Sequence, residues 1–247
     1  MKGRYSLMIL LVGDEADSIL YFKNRIELTE EYDLPLGMHA YSGKIGGEEV
    51  LITCVGRGNM LSSLRTGYLL ERFSPYVCIS IGTVYSLRND LHQGDLFIAD
   101  RYYNYGVDFS TDGKTVYGQI PEEPPFYNAS STLNDTAEAM AYQVGGAYVE
   151  RGFLLSGDKD YVDLSAFQGI IARHYNGTEK MACYDTNSGG IALSCRHYKT
   201  ALLTLKVVSY EPLRPEQLLS KKRKGLESMG LLSEILVAML VNTQRSL

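Results

Sequence analysis

An acidic loop directly follows the first apolar run of the chain. Residues 10–12 are apolar, Gly13 ends the run, and Asp14, Glu15 and Asp17 come next. A short apolar run that stops on Gly-Asp is typical of a buried strand whose carboxyl end opens into a loop, where open α/β sheets bind ligands. A carboxylate there can orient and deprotonate water. The helix dipole also favours acids in a first helical turn, so a solvated helix start is the alternative interpretation.

Four further apolar runs end in glycine or a small polar residue. Glycine at such a point lets backbone N–H groups come close to a ligand, and several such loops at one sheet edge build a shared crevice. The sequence therefore predicts one ligand-binding crevice. The four loops are Val55-Gly56-Arg57-Gly58, Ile81-Gly82-Thr83, Leu155-Ser156-Gly157-Asp158 and Val208-Ser209.

Length and charge restrict the class of protein. The chain has 247 residues without a visible linker or repeat, which predicts a single domain over 1–247. Its 24 Lys and Arg against 29 Asp and Glu give a net charge of −5. This balance argues against a nucleic-acid binder, and the basic run at 221–224 is interpreted as a solvated helix face.

Cysteine usage and hydropathy indicate a cytoplasmic protein. The four cysteines are far apart in apolar patterns and form no Cys-x-x-Cys pair, so they are interpreted as reduced core thiols without a metal site. No metal or cofactor is implied. The apolar start lacks a small-residue cleavage site, and the segment 231–241 is too short to cross a bilayer. We therefore expect no membrane partner.

Apolar runs and amphipathic patterns alternate along the chain and predict a mixed sheet with flanking helices. Gly46-Gly47 between the second and third runs predicts a hairpin. The predicted strands are 7–12, 38–42, 50–55, 76–81, 95–99, 152–155, 180–183 and 201–208, and the predicted helices are 18–29, 59–73, 134–143, 163–174, 189–198 and 216–241.

The order of these motifs resembles the nucleoside phosphorylase and nucleosidase superfamily, and within it the methylthioadenosine/S-adenosylhomocysteine nucleosidases. The resemblance runs nearly end to end. It implies a three-layer α/β/α fold with a mixed central sheet that curls into a partial barrel, a purine nucleoside as ligand, and a homodimer. The motifs are the acidic first loop, Gly56-Arg57-Gly58, Ile81-Gly82-Thr83, Gln93-Gly94-Asp95-Leu96, Tyr117-Gly118-Gln119-Ile120-Pro121, Leu155-Ser156-Gly157-Asp158 and Val207-Val208-Ser209.

The first loop bears on whether water or phosphate attacks the sugar. Phosphorylases that resemble this chain carry an arginine there to hold phosphate, whereas the nucleosidases carry a glutamate that activates water. This chain has Asp17 at the end of the loop. A carboxylate beside a phosphate costs on the order of 1 kcal/mol or more per close charge pair, which favours hydrolysis. Arg57 remains a possible anion-binding residue.

The resemblance also implies an acid that protonates the leaving purine, and here the chain departs from the family. The family has an aspartate directly after the residue that corresponds to Ser209, and this chain has Tyr210. A tyrosine, with an ordinary pKa of about 10, is a poor proton donor to a purine nitrogen. Glu211 is a candidate replacement, although successive side chains of a regular strand face opposite ways.

Further residues are carried over by the resemblance as substrate contacts. Thr186 and Asn187 correspond to the Met-Glu pair that binds ribose, and an amide at Asn187 loses the negative charge of a carboxylate. Tyr161 is expected to stack on the base, with a packed tyrosine as the alternative, and the backbone of Val162 to contact the purine edge. The remaining predicted substrate contacts are Gly82, Thr83, Lys206 and Ser209.

Three functions stay open at this point. The first is a purine nucleoside N-ribohydrolase in which Asp17 orients water and Tyr210 or Glu211 assists the leaving base. The second is a nucleoside-binding sensor or regulatory protein that has lost turnover. The third is a phosphorylase with a phosphate site rebuilt around Arg57.

Overall fold

The computed structural model describes residues 8–146, 148–159, 164–175, 180–210 and 221–244. Within these ranges the chain forms ten strands and six α-helices. The strands are β1 (Met8–Gly13), β2 (Glu27–Leu34), β3 (Met38–Ile45), β4 (Glu48–Cys54), β5 (Val77–Ser86), β6 (Leu96–Tyr105), β7 (Tyr127–Asn128), β8 (Val149–Gly157), β9 (Met181–Asp185) and β10 (Ala201–Tyr210). The helices are α1 (Ala16–Lys23), α2 (Asn59–Phe73), α3 (Ser131–Val144), α4 (Leu164–His174), α5 (Ser188–Tyr198) and α6 (Lys221–Gln244).

All ten strands belong to one mixed sheet. Its order is β10-β6-β8-β9-β5-β1-β4-β3-β2, with β7 on β6. Strand β10 also pairs with β5, so β5, β10, β6, β8 and β9 close into a five-stranded barrel. The mixed sheet that curls into a barrel is confirmed.

The central strand β1 is buried on both faces of the sheet. Ile9 and Leu11 pack into a core cluster with residues of α1, α3 and α6, whereas Leu10 and Val12 pack into a second cluster with residues of α2 and α5. Successive side chains of a strand point to opposite faces, so an unbroken apolar run is what a strand between two helical layers requires. The three-layer α/β/α architecture is confirmed.

Most of the predicted elements are present, and their ends differ by a few residues. The hairpin around Gly46-Gly47 is the antiparallel pair β3–β4. The helix predicted over 18–29 is wrong in its second half, because α1 ends at Lys23 and β2 begins at Glu27. Residues 216–220 of the last predicted helix lie outside the described residues. None of the described helices is long and apolar enough to span a membrane.

The topology brings the carboxyl ends of three parallel strands to one edge. Strands β1 and β10 both pair in parallel with β5. The loops after β1 and β10 and the last residues of β5 therefore lie beside one another. The same edge receives the loop between β9 and α5, because β9 pairs with β5 through Tyr184 and Tyr85.

Candidate functional site

A cavity opens at this edge of the sheet. It takes residues from the loop after β1, from the loop before α2, from β5, and from the ends of β9 and β10. Crevices outside the carboxyl ends of parallel strands are where open α/β sheets bind ligands. The lining residues are Asp14, Glu15, Arg57, Thr83, Tyr85, Tyr184, Asp185, Thr186, Asn187 and Ser209.

Asp14 ties the first loop to the end of β5. One oxygen of its carboxylate, Oδ2, accepts hydrogen bonds from the Thr83 N–H at 3.0 Å and from the Thr83 hydroxyl at 3.4 Å. The other, Oδ1, accepts from the Glu15 N–H at 2.9 Å and from the Ser18 hydroxyl. The backbone of Gly82 has a φ of +137°, and a Cβ there would overlap the Asp14 carboxylate. Glycine is therefore required where β5 passes this acid.

Glu15 and Arg57 face each other at the cavity. Glu15 precedes α1, and its side chain makes no capping hydrogen bond with the helix. Its Oε1 lies 3.7 Å from a guanidinium nitrogen of Arg57, and both side chains are more than a third exposed. An ion pair this exposed is worth at most about 1 kcal/mol, so the Glu15 carboxylate stays available to a ligand or to water.

A buried ion pair lies behind the cavity. Lys206, in the middle of β10, is fully buried, and its Nζ donates to Asp185 Oδ2 at 2.6 Å and to Asn187 Oδ1 at 2.7 Å. Asp185 also accepts from the Ser188 N–H and hydroxyl. Burial by itself raises the pKa of the Asp185 carboxyl, but the charge and hydrogen bond of Lys206 and the Ser188 hydroxyl outweigh it and hold that pKa below its ordinary value.

Hydrogen bonds from the start of α2 hold the loop after β9. Gly58 has a φ of +92°, and its N–H donates to Thr186 O at 2.7 Å. Asn59 Oδ1 accepts from the Ser156 hydroxyl at 2.9 Å and from the Gly190 N–H at 3.1 Å. Because this loop carries two cavity residues, the Gly-x-Gly sequence before α2 positions the site.

The structure brings together the predicted residues Arg57, Thr83, Thr186, Asn187 and Ser209, which all line the cavity. Gly82 and Lys206 lie next to it, through Asp14 and Asn187 respectively. Tyr161, Val162 and Glu211 lie outside the described residues, as does the side chain of Tyr210, whose backbone ends β10.

Asp17 is not brought to the cavity. It lies in the first turn of α1 with an exposed side chain, whereas its neighbour Ser18 is buried and contacts Asp14. The carboxylates that line the cavity from the first loop are instead those of Asp14 and Glu15. The predicted acidic loop therefore reaches the site through its first two acids.

Sequence reasoning did not single out Asp185 or the aromatic pair of the cavity. Tyr85 and Tyr184 lie with ring centroids 6.3 Å apart, on β5 and β9 but beyond the ends predicted for these strands at 81 and 183. A signal for Asp185 was available, because Lys206 stands in an otherwise apolar strand. A charge buried in such a strand requires a partner of opposite charge.

Comparisons with known proteins agree with this architecture. A family model described as "Phosphorylase superfamily" matches residues 8–239. The chain belongs to the phosphorylase superfamily.

Three individual proteins that resemble this chain share 20–28% of their aligned residues with it. A 5′-methylthioadenosine/S-adenosylhomocysteine nucleosidase of Aeromonas salmonicida is 28% identical over 186 residues, which are 75% of this chain and 79% of that protein. The crystal structure of the nucleosidase of that name from Neisseria meningitidis, in complex with methylthio-immucillin-A, has a TM-score of 0.84 at 20% identity and covers 94% of this chain and 99% of that one. The futalosine hydrolase of Helicobacter pylori has a TM-score of 0.84 at 20% identity and covers 96% and 98%.

Proposed function

We propose that this protein hydrolyses the N-glycosidic bond of a purine nucleoside, as the nucleosidases among its relatives are named for doing. The main support for the proposal is that the side chains beside the end of β1 are negatively charged. Asp14 and Glu15 line the cavity there, and the guanidinium of Arg57 is already paired with Glu15. A phosphate at this position would meet two carboxylates, at about 1–4 kcal/mol for each close pair, whereas water would meet a base.

The two acids take different roles in the proposal. Asp14 accepts hydrogen bonds on both oxygens, so it acts as a positioning residue that holds Thr83. Glu15, whose contact with Arg57 is long and exposed, takes the proton of the attacking water. Asp17 orients no water in this proposal, because its exposed side chain lies away from the cavity.

The reaction breaks the bond between the sugar carbon and the purine nitrogen. The electron pair of that bond leaves with the base, the sugar becomes an oxocarbenium ion, and water adds to it as Glu15 takes the proton. Thr83, Thr186 and Asn187 are the proposed sugar contacts, and Tyr85 and Tyr184 offer aromatic surface to a purine. Tyr210 or Glu211 as the proton donor to the base stays a prediction.

The test is release of free base from purified protein and a panel of purine nucleosides, with and without phosphate. We expect release that does not depend on phosphate. Glu15→Gln should lower kcat by about 10²-fold or more, since it removes the general base, while Asp17→Asn should not. Loss with Asp17→Asn alone would restore the assignment made from the sequence. Phosphate-dependent formation of a sugar 1-phosphate would overturn the hydrolase proposal.

A nucleoside-binding protein without turnover is the second candidate. It is favoured by Asn187, an amide beside the cavity, which lacks the charge that stabilises an oxocarbenium ion. Tyr210→Asp separates the two candidates. If the wild type retains a nucleoside without releasing base and this variant releases it, the missing proton donor is what separates binding from catalysis.

We also propose that the protein acts as a cytoplasmic homodimer. Met60, Leu61 and Leu64 expose apolar side chains at the start of α2, and Leu36 lies on a loop joined to α2 by hydrogen bonds from Arg65. A large exposed apolar patch marks an interaction surface. All four cysteines are free thiols, which supports a reducing compartment.

A further inference from the structure

The side-chain amide of Asn187 has a fixed orientation. Asn187 is 1% exposed and lines the cavity, and its Oδ1 lies 2.7 Å from the ammonium of Lys206. A lysine ammonium has three donors and no acceptor, so the amide must turn its oxygen toward it. The amide NH₂ group is thereby directed away from Lys206.

Among the described residues, that NH₂ group has no hydrogen-bond partner. Asn187 Nδ2 is buried and makes no hydrogen bond with the described residues. A buried donor without an acceptor is costly, so such groups are rare unless a ligand or water completes them. The Asn187 side chain thus offers a bound molecule a hydrogen-bond donor at the place where a carboxylate would offer two acceptors.

Two of the neighbouring carboxylates, those of Asp185 and Asp14, do not replace the missing acceptors. Asp185 accepts from the N–H groups of Asn187 and Ser188 on Oδ1, and from Lys206 and the Ser188 hydroxyl on Oδ2. Asp14 likewise accepts two hydrogen bonds on each oxygen. The Glu15 carboxylate, which also lines the cavity, is assigned to the attacking water, so among the described residues Asn187 and these two saturated acids offer the sugar donors and no free carboxylate oxygen.

We propose that Asn187, oriented by Lys206, is a specificity-determining residue that selects nucleosides whose sugar lacks one of the two ring hydroxyls. This rests on the proposed nucleoside site. A ribose brings two O–H donors that compete for few acceptors, and an unsatisfied buried donor weakens binding. A monodeoxy sugar keeps one oxygen that accepts from Asn187 Nδ2 and brings one donor fewer. The site therefore prefers 2′- or 3′-deoxynucleosides to ribonucleosides.

The loss of a carboxylate is also chemically consistent with a deoxy sugar. The 2′-hydroxyl withdraws electrons from the developing cation, so its removal makes the glycosidic bond easier to break. Less stabilisation by the protein is then needed. Asn187 is accordingly compatible with turnover of a 2′-deoxynucleoside.

The test compares the Kd values of adenosine, 2′-deoxyadenosine and 3′-deoxyadenosine by isothermal titration calorimetry. The quantity of interest is the Kd of adenosine divided by the Kd of the better-bound deoxy form. In the wild type we expect a ratio of about 3 or more. A ratio below about 3 means that the site has no clear preference for the deoxy form, and it overturns the proposal without any variant being needed.

Asn187→Asp is the sharpest variant, because it keeps the shape and replaces the donor with an acceptor. We expect the ratio to fall by about tenfold, and a fall of less than threefold contradicts the proposal. Asn128→Asp, on the exposed β7, is the matched control and should leave the ratio unchanged. Thermal melting checks that each variant folds.

A second variant covers the case in which Asn187→Asp does not fold. Lys206→Met combined with Asp185→Asn removes both charges of the buried pair and frees the Asn187 amide to turn its oxygen to the ligand, so the ratio should again fall. An unchanged ratio would show that Lys206 does not set the orientation. If none of the three nucleosides binds with a Kd of about 1 mM or tighter, the proposed function itself is wrong.

Discussion

Asp185 and Lys206 form an ion pair almost wholly removed from water, and it supports the wall of the cavity that Asn187 lines. The Nζ–Oδ2 distance is 2.6 Å, and both side chains are at most 4% exposed. Desolvation makes such pairs weak sources of net stability, but removal of one partner leaves a buried charge without compensation. The pair therefore behaves as a unit.

Asp185→Asn should destabilise the fold by about 3–5 kcal/mol, because Lys206 would then be a buried charge without a counter-charge. The double variant Asp185→Asn with Lys206→Met should cost less than this single substitution. Urea unfolding measures both. Equal costs for the single and double variants would mean that the two residues contribute independently.

Acid should weaken the fold through the same residue. The pKa of Asp185 is lower in the folded chain than the ordinary value of 3.8. Its contribution to the free energy of unfolding is therefore present above that ordinary value and is lost as the pH falls through the folded value. The double variant should show a shallower decline of stability below pH ~4 than the wild type. Parallel declines would contradict this assignment.

For single residues, the sequence predicts which of them lie at a strand end better than it predicts which way a side chain points. Thr83 and Ser209, which were predicted at strand ends, line the cavity because strand ends determine where loops meet. Asp17 lies on the exposed side of α1, since each residue of a helix turns the side chain by about 100°, and α1 begins so that Ser18, not Asp17, contacts Asp14. Hydropathy does not fix a helix start to one residue.

Among the elements, the boundary between α1 and β2 could not be predicted from the local sequence pattern. Residues 27–34 are rich in acids, and their pattern was taken in part as a continued helix. The structure has an edge strand there, paired only with β3 on the described sheet and mostly exposed. Charged edge strands protect a sheet against further pairing, but their partner is remote in sequence. By contrast, α2 is predicted to the residue because its apolar period and flanking glycine are local.

Replacing a helical glycine with alanine should have opposite effects on stability at two positions, one packed between α5 and α2 and one open on α4. A Cβ at Gly190 of α5 would overlap the backbone oxygen of Asn59 and the Ser62 hydroxyl, whereas a Cβ at Gly169 of α4 meets nothing within 4 Å. Gly190→Ala should therefore destabilise the protein by about 1–3 kcal/mol. Gly169→Ala should stabilise it by up to about 1 kcal/mol, because alanine favours a helix. Chemical unfolding of both variants distinguishes close packing from helix propensity.

For the whole molecule, the exposed start of α2 connects assembly with the site. Met60 is 82% exposed and Leu64 58%, one helical turn apart on the same face. At the start of α2 the Gly58 N–H donates to Thr186 O and the Ser62 hydroxyl to Asn187 O, so a second chain seated on this face would lie next to the loop that lines the cavity. Covering this patch would remove apolar area from water and hold the loop in place.

Met60→Glu together with Leu64→Glu should therefore convert a dimer into a monomer, since two charges would be buried without partners at the centre of the contact. Light scattering after size exclusion should change from twice 27.5 kDa to 27.5 kDa. Tyr142→Glu is the control, because Tyr142 is 68% exposed but lies on α3, in the opposite helical layer. The α2 variant should also bind nucleoside more weakly. A wild type that runs as a monomer, or a dimer that survives the α2 substitutions, would show that the start of α2 is not a dimer interface.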